Sequence, residues 1–105
     1  MKKIKFRAWD GEKMWKWDIF SIPNIEVKKL GEPMQFTGIL DKKGKEIYEG
    51  DIVRIDKFGK YQVIYLDNCM KFFFNSLSAN SESFVASPSN IKVLGNIYQH
   101  PKLLK

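Results

Sequence analysis

Residues 34–74 read Met34-Gln35-Phe36-Thr37-Gly38-Ile39-Leu40-Asp41-Lys42-Lys43-Gly44-Lys45-Glu46-Ile47-Tyr48-Glu49-Gly50-Asp51-Ile52-Val53-Arg54-Ile55-Asp56-Lys57-Phe58-Gly59-Lys60-Tyr61-Gln62-Val63-Ile64-Tyr65-Leu66-Asp67-Asn68-Cys69-Met70-Lys71-Phe72-Phe73-Phe74. Short runs rich in β-branched and aromatic residues alternate here with Gly, Asp and Asn clusters, the grammar of strands joined by tight turns. Met34 to Ile39 predicts a strand. Asp41-Lys42-Lys43-Gly44-Lys45 predicts a hairpin loop in which Gly44 supplies a positive φ angle, and Glu46 to Tyr48 the return strand. Gly50-Asp51 is read as a second turn, with Gly50 also at positive φ, that launches Ile52 to Ile55. Strands at Tyr61 to Leu66 and Cys69 to Phe74 follow, separated by the turns Asp56 to Gly59 and Asp67-Asn68. Strands so closely joined pair antiparallel, and a Gly-Asp turn delivering an Ile-Val strand is a pattern of small SH3-like barrels.

The flanks keep the same period of two. Ile4, Phe6 and Ala8 alternate with Lys5, Arg7 and Trp9, a strand with one apolar face. Asp10-Gly11 marks a tight turn, and a partner strand is expected through Lys13 to Ile19, with Trp15, Trp17 and Ile19 on one face. Pro23, Gly31 and Pro33 break residues 21–33 into a connector with at most a short strand at Ile25 to Val27. Residues 75–90 turn rich in Ser and Asn and are expected to form a mobile loop. Ile91 to Tyr98 resumes strand character, with Gly95 at a bulge or a close approach. His100-Pro101 suits the start of a short helix, with His100 in a capping position. No long segment keeps a 3.6-residue period. The expected fold is therefore all-β: an antiparallel N-terminal hairpin plus a small SH3-like, barrel-like meander, ending in a short C-terminal helical turn. The 105 residues fit a single domain, with 1–33 as hairpin and connector and 34–105 as the barrel-like part.

Composition narrows the chemistry. Apolar residues make up 44% and charged ones 29%, a globular balance. The lone cysteine, Cys69, cannot form an internal bridge and fits a reducing cytoplasm. Lys5, Arg7 and Asp10 interrupt the apolar run that a signal peptide needs, and no apolar stretch approaches bilayer length, so neither export nor a membrane association is expected. One histidine and one cysteine cannot assemble a common zinc site, and no glycine-rich loop has the spacing to cradle a nucleotide; no metal or cofactor is expected. Asp41, Glu46, Glu49 and Asp51 lie within eleven residues and could converge across a hairpin, but Lys42, Lys43 and Lys45 sit in the same stretch, as turn residues do. No catalytic residue is assigned.

Net charge is +6, divided as +3 over residues 1–33, +1 over 34–60 and +2 over 61–105. Only Arg7 and Arg54 carry the planar fork suited to phosphates; the other sixteen positive charges are lysines. A charge so evenly spread along the chain predicts weak, salt-labile nucleic-acid binding. Lys5, Arg7, Trp9 and Arg54 are the candidate binding surface, Trp9 because it shares a phase with Lys5 and Arg7 instead of with the apolar residues. Gly44, Gly50 and Asp51 are assigned structural turn roles.

Three blocks, Ile4-Lys5-Phe6-Arg7-Ala8-Trp9-Asp10, Met34 through Val53, and Val93-Leu94-Gly95-Asn96-Ile97-Tyr98 with Pro101 and Leu103-Leu104, closely resemble the YopX-like family in content and order. The resemblance implies an origin in phage or prophage genomes, a mainly β fold with barrel-like character, and self-association into a homo-oligomer. It implies no reaction, cofactor or catalytic residue. The expected function is that of a non-catalytic phage protein in the host cytoplasm, acting by self-assembly or by binding a phage or host protein. A nucleic-acid-binding module of phage DNA metabolism is the alternative.

Overall fold

The alternation of apolar and polar residues becomes strands throughout a computed structural model, which describes residues 4–18, 30–55, 59–66, 71–77 and 90–104. The strands are β1 (Lys5–Trp9), β2 (Met14–Asp18), β3 (Met34–Leu40), β4 (Glu46–Tyr48), β5 (Asp51–Ile55), β6 (Gly59–Leu66), β7 (Lys71–Ser76) and β8 (Ile91–Asn96), followed by a 3-10 turn at Pro101–Leu104. They form two antiparallel four-stranded sheets, in the orders β2-β1-β3-β4 and β7-β6-β5-β8. The all-β expectation and the meander are both met. The meander stays open, since no closed barrel forms among the described residues. Because Arg7 pairs with Met34 and Phe6 with Gln35, the N-terminal hairpin shares its sheet with the β3–β4 hairpin. The short strand expected at Ile25 to Val27 and most of the expected mobile loop lie outside the described residues.

The turns follow from their side chains. Asp10 accepts the backbone N–H groups of Glu12 and Lys13 and the indole N–H of Trp15, and so folds the first hairpin. Asp41 does the same for residues 42–45 by accepting the N–H groups of Lys43 and Lys45, with Gly44 at φ 87°. Gly50 also sits at φ 87°, as expected, and its N–H donates to the Val63 carbonyl while its carbonyl accepts the Ile97 N–H. That residue therefore ties the β4–β5 corner to both β6 and the C-terminal segment.

The core lies on the inner face of the second sheet. Val53, Ile55, Tyr61, Val63, Phe74, Ile91 and Val93 pack there, joined by Ile47 from β4. Ile47 is fully buried, so the short β4 links the two sheets through the core. At β8 the pairing slips, with Ile52 opposite Gly95 but Val53 opposite Val93. This is the bulge anticipated at Gly95, and Gly95 is a close approach as well: a Cβ there would meet the His100 ring at 2.5 Å. His100 precedes the 3-10 turn, and its carbonyl accepts the Leu103 N–H. Its ring Nδ1 reaches back to accept the Asn96 N–H, so the imidazole bonds the end of β8 while the backbone carbonyl, not the ring, closes the turn.

Candidate functional site

The candidates of the N-terminal strand and of residues 41–51 meet where β1 faces the β4–β5 corner. Arg7 is buried, contrary to its assignment to a binding surface: its guanidinium pairs with Asp51 at 2.6 Å and lies 4.7 Å from the centre of the Tyr48 ring. The strand phase is as read, with Lys5, Arg7 and Trp9 on one face. That face turns inward at its middle, toward a carboxylate 44 residues away in sequence. Asp51, the first residue of β5, also accepts the Tyr48 N–H across the Gly50 corner, so its carboxylate serves both that bond and the ion pair. Burial pushes the Asp51 carboxyl up, and the Arg7 charge pulls it back toward the ionised form.

Lys5 lies at the edge of the same site. It makes an ion pair with Glu46, whose other oxygen accepts the Tyr48 hydroxyl at 3.1 Å. Burial raises the Tyr48 hydroxyl pKa, and Glu46 raises it further. Glu46 itself is held below the ordinary range, since the Lys5 and Tyr48 bonds outweigh its burial. With Lys16, Trp17 and Asp18 these residues line an open groove of about 260 Å³. A second groove of similar size opens elsewhere, with Glu32 and Glu49 among walls that include Met34, Ile64 and Tyr98.

The four clustered carboxylates are engaged in the structure. Asp41 is buried, and besides its turn bonds it accepts the Val93 N–H at 3.0 Å, across 52 residues. Burial favours its neutral form, but the three backbone donors outweigh this and hold its carboxyl below the ordinary range. Glu46 and Asp51 are paired as described, and Glu49 makes a long bond to the Gln35 N–H. Among the described residues no three His, Cys, Asp or Glu side chains converge as a metal set, and no helix is long and apolar enough to cross a membrane.

The comparisons with known proteins agree with this architecture. The family model described as YopX protein matches residues 24–105, well over half of the chain. The chain belongs to the YopX family. The crystal structure of protein EF1440 from Enterococcus faecalis is similar over the full length of both chains, with a TM-score of 0.68 and 24% identity, a likeness of fold. No curated protein matches the chain.

In this YopX-family chain the motif-like block from Met34 to Val53 is occupied with folding: Asp41 and Gly44 make one turn, Gly50 and Asp51 the next, and Ile47 enters the core. The surface candidates divide between the sheets. Trp9 is half-buried, with its carbonyl accepting the Gly31 N–H at 2.8 Å. Arg54 is exposed on β5, in the other sheet, where Lys60 and Lys92 stand directly opposite it. Sequence reasoning missed that juxtaposition, because neither lysine neighbours Arg54 in the chain. On the first hairpin, Trp17 stacks on Phe6 with ring centres 6.0 Å apart, and the Lys13 ammonium sits 4.3 Å from the centre of the Trp15 ring.

Proposed function

We propose that this YopX-family protein is a non-catalytic β protein, encoded by a phage or prophage and acting in the host cytoplasm, that works by binding protein. Its first partner is a second copy of itself, and a phage or host protein extends the same mode. The observation that carries this reading is β2. Among the described residues it stands at the end of its sheet, with β1 as its strand partner, and strands in that position are the ones that proteins pair with a further chain. It reads Met14-Trp15-Lys16-Trp17-Asp18, with both tryptophans half-buried. Edge addition uses main-chain hydrogen bonds for affinity and alternate side chains for specificity, and tryptophan is among the side chains enriched at protein interfaces. The engagement of Asp41, Glu46 and Asp51 in turns and ion pairs supports a binding role over a hydrolytic one.

Amide hydrogen exchange at two protein concentrations tests this. The Met14–Asp18 amides are expected to gain protection as concentration rises, while the β5–β6 amides stay unchanged. Exchange across β2 that is independent of concentration contradicts edge-mediated self-association.

A further inference from the structure

The second sheet separates its charges by face. Its four strands carry four cations, Arg54, Lys60, Lys71 and Lys92, and one acid, Asp51. Arg54 stands opposite Lys60 on one side and Lys92 on the other, and Lys71 stands opposite Leu66. Leu66 lies an even number of residues from Lys60, so the two-residue period puts all four cations on one face. Asp51 lies an odd number from Arg54 and points the opposite way, to Arg7. No carboxylate of these strands shares the cationic face.

Like charges directly opposite one another on a sheet are destabilising, so an anion arriving on the Lys92–Arg54 pair relieves repulsion between them. Arg54 is exposed and Lys92 half-buried, and among the described residues neither makes an ion pair. Lys60 donates to the Leu103 carbonyl at 3.2 Å, which holds one end of the row in place. With strands about 4.8 Å apart the row reaches about 10 Å, longer than one phosphate needs. The half-buried Phe73 stands on the same face, two residues along β7 from Lys71.

We propose that this outer face binds single-stranded nucleic acid, with Lys92, Arg54 and Lys60 on successive phosphates and Phe73 as a stacking platform for a base. The Arg54 guanidinium offers the planar fork that phosphate oxygens accept in pairs. An aromatic ring set among cations is how proteins hold single strands without reading sequence. Charge that is evenly spread along the chain is gathered here by strand register alone.

Fluorescence anisotropy with a labelled oligothymidine of about 20 nucleotides tests the proposal. Binding is expected at low salt, with a log-log salt slope of about −2 to −3 for three or four phosphate contacts. Arg54→Ala and Lys92→Ala should each weaken binding about threefold to tenfold and make the slope shallower by about 0.7. Lys43→Ala, the same charge change on an exposed turn, should leave both within error. Phe73→Leu should lower affinity with the slope unchanged. Failure to bind at low salt, equal weakening by Lys43→Ala, or binding to phosphatidylserine vesicles but not to the oligonucleotide overturns it.

Discussion

Arg7 and Asp51 form a buried ion pair, 2.6 Å apart, and removing one partner strands the other's charge away from water. Arg7→Ala should therefore cost about 3–5 kcal/mol in a urea titration. Arg7→Met with Asp51→Leu should recover only part of this, because Asp51 also accepts the Tyr48 N–H, which the double variant leaves unmet. Full recovery would mean that the Tyr48 bond contributes nothing. Asp41 titrates with a definite sign. Its folded-state pKa lies below its ordinary value, so its contribution is complete above about 3.9, the ordinary aspartate value, and is lost as pH falls through the lower folded value. Asp41→Asn should be less stable at neutral pH, and the gap to the wild-type chain should narrow in acid. A gap that is constant with pH contradicts the charged three-donor arrangement.

At the scale of elements, Gly44 and Gly50 make a controlled comparison, since both sit at φ 87°. A Cβ at Gly44 meets nothing within 4 Å, whereas one at Gly50 meets the Met34 sulfur at 2.8 Å. Gly44→Ala should cost about 1 kcal/mol, the backbone strain alone, and Gly50→Ala about 2 kcal/mol, because the contact adds to it, with Gly50→Val costing more again through branching. Equal costs of the two alanine variants in thermal melts would show that Met34 moves aside freely. Most of these elements were legible in the sequence: β4 runs from Glu46 to Tyr48 as expected, and β3, β5 and β8 fall within a residue or two of their expected bounds. Turn chemistry is local, and Asp10, Asp41 and Gly50 announce themselves to their own neighbours. Arg7 was misjudged because its partner lies 44 residues away, and the Val93 bond of Asp41 spans 52. A strand's phase says which residues share a face; it does not say what another strand brings to that face.

At the scale of the molecule, the described residues form two sheets linked by β4 and the Gly50 corner, and the proposed association uses the end strand β2. The same register that turns Asp51 inward puts the four cations of its sheet on the opposite face, so the proposed edge for protein on β2 and the proposed face for anions on β5–β8 use different strands. The membership of the YopX family and the likeness to the Enterococcus faecalis structure concern this architecture and leave the partner to experiment. Sedimentation equilibrium of the intact chain at tens of micromolar tests the central claim most directly. The account predicts a mass of at least two chains that falls toward 12.3 kDa on dilution, and a mass of 12.3 kDa at every concentration would contradict it.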